Sequence, residues 1–170
     1  MTNHSQNFVS SLLHPELGLD WIFPLVKFRS VQTRASALSI LSSLTSSVAG
    51  CRIICDAFEN EIWSVLTCIG LDDDESSFVR SLAFNTLNGL LKMLPKVNTA
   101  SPILGVTFLA LLSRMQQCKF YSSIAQSLQN YVHCEMPHDE SMAPVSPLFV
   151  TSVCEFLTSL LEVAEQGKKF

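Results

Sequence analysis

The stretch SSFVRSLAFNTLNGLLKML, Ser76 to Leu94, places Val79, Leu82, Ala83, Thr86, Leu87, Leu90, Leu91 and Leu94 three or four residues apart. On a period of 3.6 residues that spacing makes one wide apolar stripe along a helix. Asp72, Asp73, Asp74 and Glu75 stand just before it, where carboxylates can cap orphan backbone N–H groups at the positive end of the helix dipole. Pro95 cannot continue the ladder, so the expected end is near Leu94. So broad a stripe must be covered by another surface of the same kind.

The chain carries a second copy of it. With Arg80 set against Arg34, Ala83 aligns with Ala37, Leu87 with Leu41 and Leu90 with Leu44, at a constant offset of 46. Upstream, Trp63-Ser-Val-Leu aligns with Trp21-Ile-Phe-Pro at an offset of 42. A shorter helix, a turn and a longer helix recurring at that spacing is the period of two- and three-helix solenoid repeats. A bundle of unrelated helices is the alternative, and it would need the ordered matches to be chance.

From the start of the chain, Asn7 to Leu13 is expected as a short lead-in helix and Leu19 to Phe28 as a second, burying Trp21, Ile22, Leu25, Val26 and Phe28. Ser30 can cap a helix running to about Val48, its stripe Ala37, Leu41, Leu44 and Val48, with Gly50 as its stop. Cys51 to Phe58 and Glu61 to Ile69 follow, and Gly70 separates the latter from the acidic turn. Ser101 to Gln117 is apolar on most sides. Phe120 to Val132 is amphipathic through Tyr121, Ile124, Ala125, Leu128 and Val132. Residues 135–145, with Pro137 and Pro144, are expected as a loop. Ser146 and Pro147 then open a last helix through Phe149, Val153, Phe156, Leu157, Leu160 and Ala164 to Gly167. No strand pattern competes, so the chain is expected to be all-α. It is one domain of about three repeat-like units at 17–48, 50–94 and 99–134, with a terminal helix at 146–166.

At 170 residues with 48% apolar and 15% charged residues, the chain can bury a sizeable core and is not of disordered composition. A net charge of −4 and a pI near 5.5 argue against nucleic acid as a partner, because phosphate binding draws on Lys and Arg. The most apolar run, Ile103 to Leu112, is about half the length of a bilayer span. No membrane partner is expected, and no apolar leader marks secretion. Six cysteines mostly in helical patterns suit reduced thiols serving as small core residues in the cytoplasm.

No catalytic residue, cofactor or metal is expected. A Cys nucleophile needs a base within reach, and His4, His14, His133 and His138 lie near termini or in loops. The acidic run lacks the glycine that a helix-loop-helix calcium site requires, Ser77 standing in its place. Phosphate-binding glycine motifs and a nucleophile elbow are missing. Cys134 and His138, with His133 beside them, could begin a zinc or thiol site, since zinc prefers these ligands, but four are needed. A closed all-α domain with such a site is the alternative reading. Trp21 and Trp63 read as anchors of one helix against the next, or less simply as binding anchors.

The segments Ile22-Phe-Pro-Leu-Val and Ile62-Trp-Ser-Val-Leu, each followed by a polar turn and then Arg-x-x-Ala-x-x-x-Leu-x-x-Leu, resemble the second and third helices of armadillo and HEAT-type repeats. That resemblance implies an α-solenoid that binds other proteins, with Arg34, Arg80, Asn85 and Asn88 as candidate protein-binding residues on the longer helices. Peptide-carrying members place Trp and Asn at positions held here by Asn85 and Gly89, and by Ser39 and Ser43. This departure speaks against an import-type groove. The stretch GLDWIFPLVKFRSVQTRASAL further resembles the armadillo-like proteins of centrioles and ciliary basal bodies. It implies a non-enzymatic piece of a large assembly scaffold, packed against neighbouring repeats and located in the cytoplasm at the centrosome or basal body.

Overall fold

In the computed structural model, residues 19–58, 61–97, 111–133 and 146–167 are described. They are helical throughout, with no strand among them. The helices are α1 (Phe23–Val26), α2 (Val31–Leu44), α3 (Val48–Phe58), α4 (Glu61–Leu71), α5 (Ser77–Val97), α6 (Phe120–His133) and α7 (Pro147–Gly167); residues 111–117 are also helical.

The three long helices start in the same way. Ser30, Ser76 and Ser146 each accept a hydrogen bond at Oγ from the backbone N–H three residues on, of Thr33, Val79 and Phe149 (3.3, 3.3 and 3.2 Å). Each also accepts at its carbonyl from the N–H four residues on. The serine carbonyl thus takes the first intrahelical bond and its side chain satisfies one of the orphan donors at each of these helix starts. The carboxylates expected to cap α5 have another use, described below.

Helix α5 lies between α2 and α7, and α4 packs along it as well. The long helices run parallel. Arg34 at the start of α2 meets Glu75 just before α5, and Thr45 at the end of α2 meets Gly89 far along α5. On the other flank the contacts advance in step, Arg80 with Phe149, Phe84 with Phe156 and Asn88 with Ser159. Helices α1, α4 and α6 attach to α2, α5 and α4 respectively.

Ala37, Leu41 and Leu44 are buried, as are Ala83, Leu87 and Leu90 at the matching positions. With burial of apolar area worth about 25 cal/mol per Å², these stripes are a main source of cohesion. Leu38, Phe84 and Leu91 are also fully buried, so the covered arc of each long helix is wider than one stripe. Helix α5 leaves only Phe78 and Lys92 exposed among its residues up to Met93.

Several expectations are corrected. Gly50 does not stop α2, which ends at Leu44; it lies in the first turn of α3, where an added Cβ would stand 2.1 Å from the Leu44 carbonyl oxygen. Gly70 is likewise inside α4, where an added Cβ would stand 2.9 Å from the Phe84 ring. In both cases glycine marks close approach of neighbouring atoms rather than a break. Helix α5 runs past Pro95 to Val97, and α1 is a single turn within 19–28. Trp21 and Phe28 are exposed, whereas Ile22 and Val26 are buried. The inward stripe of α6 is Phe120, Ile124 and Ser127, flanked by Leu128 and Tyr131, and it leaves Tyr121 and Val132 outside. The lead-in helix at 7–13, most of the segment 101–117, the 135–145 loop, Cys134 and His138 fall outside the described residues.

Candidate protein-binding surface

The four residues expected on the binding surface divide sharply. Arg80 is fully buried: its Nε donates to the Gly70 carbonyl (3.0 Å), its Nη2 reaches Asp73 (3.0 Å) and Ser127 (3.4 Å), and its guanidinium lies 4.3 Å from the centre of the Phe149 ring. Burial lowers its pKa, and the Asp73 carboxylate opposes that shift. Asn88 is buried too, accepting at Oδ1 from Ser159 (2.6 Å) and donating to Glu155 (3.4 Å). Arg80 joins α5 to α4, to the acidic turn, to α6 and to α7, and Asn88 joins it to α7.

Arg34 does a related task in a wetter place. Its guanidinium donates to both Glu75 oxygens (2.5 and 2.8 Å) and to the carbonyls of Phe28 and Arg29 (2.6 and 2.9 Å). Donating to the Glu75 carboxylate raises its pKa. Each arginine, four residues after its serine cap, thus holds carbonyls of the preceding segment: Arg34 those of Phe28 and Arg29 in the linker after α1, Arg80 that of Gly70 in the last turn of α4. The acidic run supplies their partners: Glu75 for Arg34 and Asp73 for Arg80.

Asn85 alone of the four faces the open side. On α2, Gln32, Ser36, Ser39 and Ser43 are exposed, as is Ser46 in the turn after it; 46 residues on, Phe78 and Lys92 are exposed and Leu82, Asn85 and Gly89 half-buried. The offset that aligns the core therefore also aligns the solvent-facing stripe, with Asn85 opposite Ser39. On α7 the outward residues are Leu148, Thr151, Cys154, Glu155, Thr158 and Leu161. The result is a mixed surface on parallel helices, in which the serines of α2 and Asn85 of α5 supply hydroxyl and amide groups able to offer hydrogen bonds beside apolar and charged residues such as Phe78, Lys92 and Leu148. Sequence reasoning missed the serines because small polar residues read as surface filler; the offset of 46 was the signal that places them beside Asn85.

Metal and thiol chemistry finds little support among the described residues, where no three His, Cys, Asp or Glu side chains gather to hold an ion. Cys51 and Cys55 are buried, and desolvation pushes their thiols up to about 12 and about 11, which makes them poor nucleophiles. Cys68 and Cys154 are exposed rather than core residues; Arg114 Nη2 donates to Cys68 Sγ at 2.9 Å. Helix α7 is long and apolar enough, over Pro147–Glu165, to cross a membrane by length and composition. Its Phe149, Val153, Phe156 and Leu160 are nevertheless buried, and Ser159 and Glu155 bond to Asn88.

No family model matches the chain, and no solved structure matches it. The chain is similar to mouse Rotatin, with 35% identity over 77 residues, a stretch that is 44% of this chain and 4% of that protein. The chain thus matches only a small fraction of that relative's length.

Proposed function

We propose that this chain is a segment of an α-solenoid scaffold that binds another protein along the open face of its long helices. The observation that carries this is the parallel packing of α2 and α7 along the two flanks of α5, with α1 against α2, α4 against α5 and α6 against α4. In this reading the three units are α1–α2, α3–α5 and α6–α7, so that α7 is the long helix of the third unit rather than an appendage. Stacked units of this kind present a continuous surface while their cores do no chemistry, and the Ser36, Ser39, Ser43 and Asn85 stripe supplies it here. The partial likeness to Rotatin, with the resemblance to centriole and basal-body repeat proteins, supports a place at the centrosome or ciliary basal body and a role as a non-enzymatic assembly module.

The test is recruitment of the tagged chain to centrioles in ciliated cells. The double variant Ser39→Arg, Asn85→Arg adds bulk and charge to the open face, and it should abolish recruitment while leaving the melting curve unchanged. Recruitment that survives in the variant, or is missing in the parent chain, defeats the proposal.

A further inference from the structure

Helix α5 is covered on both flanks, by α2 and α7, whereas α7 packs against a long helix on one flank only. It faces α5 with Phe149, Phe156 and Ser159. At about 3.6 residues per turn, Cys154 and Leu161 fall on the side turned from α5, and both are exposed, Leu161 to 66%. Val150 and Leu157 lie between them and the interior, half-buried against the core. With Ala164 these residues make a stripe spaced by four, three, four and three residues, the spacing of a seam between two helices. The apolar core thus runs out to the surface along this flank, and no charged residue interrupts it. An uncovered stripe of this kind marks an interaction site.

Its borders are neutral as well. Thr151 and Thr158 stand beside it, while Glu155 is turned to Asn88 of α5 and Glu162 follows two turns later on that same side. The matching surface therefore has to be apolar and uncharged. Of the two outer long helices, α2 leaves Gln32, Ser36, Ser39 and Ser43 uncovered, and those groups would give the leucines of α7 no apolar contact. Head-to-tail stacking of copies fails on that ground, whereas α7 is matched by α7.

We propose that α7 pairs with α7 of a second copy of this chain, antiparallel about a two-fold axis. That arrangement sets Val150 against Leu161 and Cys154 against Leu157 of the second copy, so every layer joins a smaller side chain to a larger one. It also continues the row of long helices outward from the apolar seam that already joins α5 to α7. Parallel pairing would instead stack leucine on leucine and cysteine on cysteine, and it would bring Glu165 beside its own copy. A self-complementary contact of this kind closes at two chains. The pairing uses neither Ser39 nor Asn85, and it holds whether or not the open face takes another protein.

Analytical sedimentation of the 170-residue chain tests this. At about 50 μM, where an interface of micromolar Kd is mostly formed, the chain should be dimeric. The dimer should persist at about 0.5 M salt, because no ion pair holds the stripe. Leu161→Glu would bury an uncompensated carboxylate from each copy and should raise the dimer Kd at least tenfold. The position is exposed, so melting measured at high dilution should not change. For the orientation, Val150→Cys with Leu161→Cys, oxidised, should link position 150 of one copy to position 161 of the other; within one helix these lie about three turns apart and cannot bond. Ser39→Arg with Asn85→Arg should leave the dimer intact, which separates failure of this surface from failure of the open face. A chain that stays monomeric, a dimer that salt dissolves, or a dimer that Leu161→Glu leaves unchanged overturns the proposal. So does a link from Cys154 to Cys154 in the oxidised parent chain, which marks parallel pairing.

Discussion

The two flanks of α5 are joined to their neighbours by different means. Toward α7 the seam is aromatic: Phe84 meets Phe149 and Phe156 at centroid separations of 5.7 and 5.6 Å, and Phe120 of α6 closes the cluster at 6.1 Å. Toward α2 the seam is close rather than bulky. Gly89 sits so near Thr45 that an added Cβ would lie 2.0 Å from its Oγ1, and Arg34–Glu75 clips the other end. One helix is thus held by large rings on one side and by the absence of a side chain on the other. Two parallel helices can be brought together by filling the space between them or by removing it.

Tests of that contrast begin with the aromatic flank. Phe84→Ala empties the centre of the ring cluster and is expected to cost about 3–5 kcal/mol, the range for deleting a buried aromatic. Chemical denaturation would show it as a fall in midpoint with little change in slope. A loss below about 1 kcal/mol would mean that the rings around Phe84 collapse to fill the space. On the same flank, Arg80→Gln removes the donors to Gly70 and Ser127 and the contact with Phe149, and should cost about 2–3 kcal/mol. The Asp73 partner is exposed, so it regains water and adds little to the penalty.

The close-packed flank has its own signature. Gly89→Ala should cost about 1–3 kcal/mol, as overpacking does in a filled interior. Thr45→Gly ends α2 with a residue that suits a helix terminus and removes the obstructing side chain. The double variant should therefore be more stable than the sum of the single changes. Strict additivity would place the obstruction elsewhere.

How much of this was legible in the sequence depends on the kind of feature. Periodicity located the long helices and the caps Ser30 and Ser146, because a stripe and its cap are local properties of the chain; for α5 the carboxylates were expected to cap, and Ser76 does so instead. The offset of 46 found the buried Ala and Leu ladder for the same reason. The glycines were misread: Gly50 and Gly70 look like stops in one dimension, whereas their role depends on Leu44 and Phe84 arriving from other parts of the chain. Arg80 and Asn88 were expected outside because charged and amide groups usually are. Their burial depends on Asp73, Ser127, Ser159 and Glu155, up to 71 residues away. Asn85 kept its outward place because it falls on the stripe that the repeat leaves uncovered.

The two arginines give the finest test, since the alignment makes them equivalent and the environment does not. Arg34 retains 17% side-chain exposure against 1% for Arg80, so water screens its attraction to Glu75 and can replace it when the arginine is lost. Arg34→Gln should cost only about 1 kcal/mol, the upper part of the range for ion pairs in contact with solvent. That cost should shrink when salt is raised from 0.05 to 0.5 M, because the screening length falls severalfold. Arg80→Gln should respond less to the same change: it also loses the pair with the exposed Asp73, but the rest of its losses, the Gly70 carbonyl bond, the Ser127 contact and the stacking on Phe149, lie where ions do not reach. If the two substitutions cost the same and respond alike to salt, the flanks of α5 are energetically equivalent at this edge. The aromatic cluster alone would then distinguish them.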